Sequence, residues 1–113
     1  MKKRVVITGL GVVAPNGVGV AAFLNAIRNG ISGIRFDAEL ERLQFSCQIS
    51  GTPQIADAMK EDNFTPLELR NFNASGILYG VMAGIDAWKD AGLPIENNNE
   101  PDWDSGTIFG TGT

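Results

Sequence analysis

Apolar and polar residues follow two different periods along this chain. Val5, Val6 and Ile7 form a continuous, β-branched run between Lys2-Lys3-Arg4 and Gly9. A run without alternation predicts a strand covered on both faces, as in a parallel sheet layered with helices. Gly9, Gly11 and Gly17, with Pro15 and Asn16, then predict a sharp turn, because these residues tolerate positive φ or fix it. From Val18 to Asn29 the period lengthens. Phe23, Leu24, Ile27 and Ile31 share one helical face, with the start expected at Asn16 or Gly17 and a C-terminal cap at Gly30.

The pattern weakens from Ser32 to Gln44, a Ser-Gly turn followed by a short amphipathic piece, and Phe45 to Gly51 alternates as a strand or extended edge segment. Two helix-start signals follow. Pro53 opens a segment to Lys60, and Thr65, Pro66 and Glu68 have capping-box spacing with proline at the first helical position. The longest periodic element runs from Asn73 to Ala91. Ile77, Leu78, Val81, Ile85 and Trp88 form its apolar stripe with Met82 at the edge, and Gly76, Gly80 and Gly84 recur every fourth residue, where another backbone could come close. Gly92 and Pro94 end it. Asn97, Asn98, Asn99 and Glu100 read as a solvated loop, and Thr107, Ile108 and Phe109 as a last short strand before a glycine turn.

Strand, turn, helix, irregular excursion, helix, strand is the order of one crossover unit in a layered α/β sheet. Two such strands leave apolar edges and faces uncovered, so residues 1–113 are expected to be one incomplete domain cut from a longer chain.

Composition narrows the function classes. The 113 residues carry 9 basic and 13 acidic side chains, net charge −4, with the basic ones scattered, which argues against a nucleic-acid surface. The apolar run after Met1-Lys2-Lys3-Arg4 is too short for a secretory signal, and no stretch approaches a membrane span. A lone cysteine, Cys47, fits a reducing cytoplasm. There is no histidine, so the commonest general base and metal ligand is missing. No metal or cofactor is expected.

Each candidate for chemistry has a plainer structural account. Gly9-Leu10-Gly11-Val12-Val13-Ala14 matches a dinucleotide fingerprint, but Pro15-Asn16-Gly17 interrupts the helix that should begin inside it. Gly110-Thr111-Gly112-Thr113 lacks the lysine of a phosphate loop. Cys47 has no histidine to activate it and reads as a buried or half-buried structural thiol. Asp37, Glu39 and Glu41, and likewise Asp86 and Asp90, read as solvated acids, and Trp88 as core. No residue reads as a catalytic group.

RVVITGLGVVAPNG at the front, ISGI at Ile31 to Ile34, Tyr79 in a helix closing with DAGL at Asp90 to Leu93, and IFGTGT at the end together resemble the N-terminal segment of the β-ketoacyl-acyl carrier protein synthases. These are the elongation condensing enzymes of the thiolase-like superfamily, and the landmarks run from one end of the chain to the other. The resemblance implies a partial thiolase-like fold, a piece of the N-terminal half of a layered αβαβα architecture. The first and last strands would lie side by side, with the Ala74 to Ala91 helix on them. It implies decarboxylative Claisen condensation in fatty acid or polyketide synthesis, with acyl carrier protein and acyl and malonyl thioesters as partners. A homodimer is implied for the complete enzyme.

The same resemblance places the nucleophilic cysteine, two histidines and a lysine beyond Thr113, so no catalytic residue is expected here and the segment alone should be inactive. Thr111, Gly112 and Thr113 would line the acyl pocket, with Thr113 where some relatives carry isoleucine. Arg70 alone would keep the basic carrier-protein surface that precedes the long helix. Two other classes stand beside this one. One is a small noncatalytic synthase-like protein binding a partner through an uncovered sheet, and the other a nucleotide-binding module, set back by Pro15.

Overall fold

The computed structural model describes residues 2–95 and 100–110. Its first ordered unit is a tight antiparallel hairpin. Strands β1 (Val13–Ala14) and β2 (Gly17–Val18) pair Val13 with Val18 and Ala14 with Gly17, closing over Pro15-Asn16. Because Asn16 and Gly17 are used in this hairpin, helix α1 (Val20–Arg28) starts three residues later than the earliest predicted position, at Gly19. Gly19, with φ 84°, supplies no side-chain cap; its N–H donates to the Val12 carbonyl at 2.8 Å instead. The other end is as predicted. Gly30 has φ 63°, and the Ile31 and Gly30 N–H groups donate back to Ala26 and Ile27, the paired bonds of a left-handed helix stop.

A second small sheet joins β3 (Arg35–Phe36) to β4 (Ile49–Ser50), antiparallel, with the short helix α2 (Ala38–Arg42) between them. Only β4 falls inside a predicted strand. Asp37 holds this piece together: its carboxylate accepts from the Glu39 and Leu40 N–H groups at the helix start and from Ser50 Oγ at 2.7 Å, while its own N–H donates to the Gln48 carbonyl. The Ser50 hydroxyl, then the Glu39 amide, hold the Asp37 carboxyl below its usual range. Asp37 is therefore a helix cap, not a free acid. Glu39 is also engaged, paired with Arg42.

The two sheets are tied through the Ile31–Ile34 segment. The Arg35 guanidinium donates to the Pro15 carbonyl at 2.8 Å, and Asn16 Nδ2 to the Ile31 carbonyl at 3.4 Å. Gly33 is buried against the same turn, where a Cβ would stand 2.5 Å from the Asn16 nitrogen. Two sequence landmarks, APNG and ISGI, thus form one joint.

Helices α3 (Asp57–Glu61), α4 (Pro66–Asn71) and α5 (Ser75–Asp90) follow. The helix predicted at Pro53 begins four residues later, capped at Ala56 without a side-chain bond. The Thr65 capping box forms as read: Thr65 N–H donates to Glu68 Oε2 at 2.8 Å, and Glu68 N–H to Thr65 Oγ1 at 3.3 Å. Phe64, buried, meets Phe72 edge to face with ring centroids 5.2 Å apart. Gly92 closes α5 as Gly30 closes α1, with φ 69° and bonds from Leu93 to Trp88 and from Gly92 to Lys89.

The strands predicted at Val5–Ile7 and Thr107–Phe109 are absent. Both segments lie outside any strand, and Val5, Ile7 and Ile108 are 92%, 84% and 101% exposed. The physical reason is the nature of the signal: a continuous apolar run marks a strand flanked by ladders and covered by layers, and no described segment is laddered to either one. Among the described residues only Ala26, Phe64 and Met82 are buried hydrophobics. Met82, set at the edge of the predicted stripe, is thus the most covered residue of α5, while Ile77 and Trp88 are exposed. The accessible surface is 9424 Å², against about 6,000 Å² for a compact chain of this mass. The described part is a mixed assembly of five helices and two small sheets whose largest apolar runs face outward. The Asn97–Asn99 loop and the residues Thr111, Gly112 and Thr113 lie outside the described residues.

Candidate functional site

The feature that brings distant landmarks together is one face of α5. Gly9 and Gly11 lie so close to it that a Cβ on Gly9 would overlap the Ala87 carbonyl oxygen, and one on Gly11 the Ala83 carbonyl oxygen. Neither glycine has a left-handed φ. The expectation that they serve a turn through positive φ is corrected: they are glycines because helix backbone occupies the space a side chain would need.

Leu10, between them, donates its N–H to Asp90 Oδ2 at 2.9 Å. Asp90, read from sequence as a solvated acid, therefore fastens the TGLG segment to the end of α5. The contact joins residues 80 positions apart, so no local pattern could reveal it. The available signal was that Asp90 opens the DAGL landmark.

A second segment reaches the same helix. A Cβ on Gly80 would stand 3.4 Å from Phe109 Cε1, and one on Gly84 3.8 Å from Phe109 Cζ, so one side of the phenyl ring rests over these glycines. Gly76 faces open space. The Gly76-Gly80-Gly84 row therefore admits an aromatic ring at two of its three positions, and the close backbone approach occurs instead beside Ala83, Ala87 and Ala91.

The remaining candidates are scattered. Arg70 is exposed in the last turn of α4, where a cation suits the negative end of the helix dipole. Cys47, expected buried or half-buried, is instead exposed, in the connection between α2 and β4, and outside any disulfide. An open groove of about 560 Å³ is lined by Trp88, Leu93, Pro94, Glu100, Pro101, Asp102 and Ser105. Of its two carboxylates, that of Asp102 is used locally: Ser105 Oγ and the Asp104 amide donate to it and hold its carboxyl below the usual range. In the GLGVVA segment the β1–β2 hairpin stands where a dinucleotide fold needs a helix N-terminus. Among the described residues no three His, Cys, Asp or Glu side chains converge as a metal site. No described helix is long and apolar enough to cross a membrane.

A face of α5 that receives the TGLG segment and the Phe109 ring, and the APNG–ISGI joint, are what the landmark motifs build. Comparison with known proteins names the class. The family model described as "Beta-ketoacyl synthase, N-terminal domain" matches residues 2–113. A 3-oxoacyl-[acyl-carrier-protein] synthase 2 of Coxiella burnetii is 32% identical over 102 residues, covering 88% of this chain and 23% of the relative. A putative polyketide beta-ketoacyl synthase 1 of Streptomyces halstedii is 31% identical over 115 residues, covering 98% and 25%. A 3-oxoacyl-[acyl-carrier-protein] synthase 2 of Vibrio cholerae is 33% identical over 98 residues, covering 87% and 23%. The chain belongs to the β-ketoacyl synthase family, to its N-terminal domain. It spans about a quarter of the length of the curated relatives it matches.

Proposed function

We propose that this chain is the front part of a β-ketoacyl-acyl carrier protein synthase that lengthens acyl groups in fatty acid or polyketide synthesis, in the cytoplasm and without a cofactor. In the complete enzyme an acyl group passes from its carrier thiol to a cysteine beyond Thr113. Malonyl-carrier then loses its carboxylate as CO2, leaving an electron pair on the α-carbon. That carbon attacks the acyl carbonyl, a carbon–carbon bond forms, the carbon–sulfur bond to the enzyme breaks, and the cysteine leaves as thiolate. The 113 residues contribute scaffold and, at Thr111, Gly112 and Thr113, acyl-pocket wall. Val5–Ile7 and Thr107–Phe109 become neighbouring strands of a layered αβαβα body, with α5 across them, in a homodimer. Arg70 meets the carrier protein.

The observation that carries this reading is that residues from both ends of the chain rest on α5, Leu10 bonded to Asp90 and the Phe109 ring over Gly80. That is the packing expected of a helix laid over two adjacent strands.

The test is to purify the complete gene product and supply acyl-carrier and malonyl-carrier thioesters. The expected result is release of CO2 with a 3-oxoacyl product longer by two carbons, and an acyl group trapped on a cysteine other than Cys47. A product of this length alone, without condensation, would overturn the reading, as would acyl transfer to Cys47.

A further inference from the structure

The open groove at the end of α5 is lined by two short stretches, each held by its own hydrogen bonds. In the first, Trp88 Nε1 donates to the Pro94 carbonyl at 2.9 Å and the Leu93 N–H to the Trp88 carbonyl at 3.2 Å. The left-handed stop at Gly92 thus fixes the indole and its apolar neighbours. In the second, the Asp104 N–H and Ser105 Oγ donate to the Asp102 carboxylate at 2.9 and 2.6 Å, and Glu100 adds another acid to the lining. Both acids are exposed, and among the described residues neither is ion-paired. From Gly92 to Ser105 the sequence carries Glu96, Glu100, Asp102 and Asp104 and no lysine or arginine. The groove therefore offers apolar surface and an indole together with negative charge that nothing nearby in sequence neutralises.

That combination matches one side chain. Arginine lays its aliphatic stem along apolar surface while its head stays at the polar edge, its planar guanidinium stacks on an indole, and its fork meets a carboxylate with two parallel bonds. A carboxylate has about four acceptor positions. Asp104 and Ser105 use two of those on Asp102, which leaves room for the fork. The groove is also open, whereas a site for a small free ligand encloses most of its surface, so the arginine has to be held from outside. We propose that this groove is a docking site for an arginine in a basic segment of a partner protein, with the stem on Trp88, Leu93 and Pro94 and the guanidinium on Asp102 and Glu100. The inference does not depend on the synthase reading.

The experiment titrates the complete gene product into a fluorescein-labelled glycine-serine peptide carrying two arginines, at low salt, and follows anisotropy. Saturable binding is expected, weaker when lysine replaces arginine and lost when neutral citrulline does. Glu100→Gln and Asp102→Asn should each weaken it about threefold, the scale of an exposed ion pair, and the double variant on the order of tenfold. Trp88→Leu should weaken it about threefold through the lost stacking. Asp104→Asn, a charge in the same turn but outside the lining, should leave it unchanged. The exposed acid variants keep the test decisive if Trp88→Leu does not fold. Absent binding, equal binding of the citrulline peptide, or equal loss from Asp104→Asn and Asp102→Asn would overturn the inference. So would binding that emerges only when Lys2, Lys3 and Arg4 are replaced by serine, because the groove would then belong to this chain's own basic end.

Discussion

The front unit from Val12 to Gly51 and the two apolar runs at Val5–Ile7 and Thr107–Phe109 obey opposite rules. The first has modest strand and helix signals and forms a connected structure, because its partners are close in sequence. Pro15 meets Arg35, Asn16 meets Ile31, and Asp37 meets Ser50, all within 20 positions. The apolar runs have the stronger strand signals and form no strand. What they keep is their seat on α5. Glycine contacts at Gly9 and Gly11 and the Leu10–Asp90 bond hold the turn that follows the first run, and Phe109 rests on α5 at the end of the last. A segment can thus rest against a helix without being a strand.

The largest break in this comparison comes from Gly11→Val. Helix backbone at Ala83 and Ala87 cannot yield as a side-chain tip would, so the segment must lift away, a cost of about 3 kcal/mol by the measure of overpacked cores. Hydrogen exchange at the Leu10 amide should accelerate about a hundredfold, while α1 amides keep their protection. Equal loss in α1 would show that the two regions are one cooperative unit. Asp90→Ala tests the same dock more gently. Removing a charged acceptor at an exposed site costs about 1 kcal/mol, and Asp90→Asn, which keeps a carbonyl oxygen for Leu10, should cost less. No change at the Leu10 amide in Asp90→Ala would mean that the glycine contacts alone hold the segment.

These cases show what was legible and why. The helix ends at Thr65-Pro66-Glu68, Gly30 and Gly92 are legible in the sequence, since these residues satisfy amides and carbonyls within a few residues of themselves, whereas the starts of α1 and α3 are not. The family landmarks were also legible, and they mark the joints that the fold makes. Asp37 was misread as a solvated acid because its cap resembles any acid before a short amphipathic stretch; the bond to Ser50 lies 13 positions away. The two-residue strands β3 and β1 are too short for any period to register. Gly9 and Gly11 were read through backbone freedom, when the cause was a helix more than seventy positions downstream.

The Asp37 clip gives the front unit a pH dependence of its own. Its carboxyl titrates below the usual value in the folded chain because the Ser50 hydroxyl and the Glu39 amide donate to the charged form. A depressed folded pKa adds stability that is complete above the unfolded value of about 3.9 and fades as pH falls through the folded one. Carboxyl NMR should place the Asp37 midpoint below about 3.9, and Ser50→Ala should move it upward toward that value. Protection of α2 amides should then depend less on pH in Ser50→Ala, with Leu10 unaffected. An unmoved midpoint would show that the helix amides alone hold Asp37.

The smallest effect tests whether helix ends in the front unit are set by local geometry alone. Gln44 follows α2 with φ 56°, the non-glycine residue in the left-handed region among those described. Phe45 donates to Leu40 and Gln44 to Glu41, the same paired bonds that Gly30 and Gly92 make after α1 and α5. Glutamine pays a steric penalty of roughly 1–2 kcal/mol there, and glycine would lose more chain entropy on folding, by roughly 0.5–1 kcal/mol. The difference favours Gln44→Gly by about 0.5 kcal/mol, a rise in melting temperature of roughly 3 °C for a chain of this size. If the variant instead melts lower, the Gln44 side chain contributes contacts that outweigh its strained backbone, and α2 ends for reasons beyond its last turn.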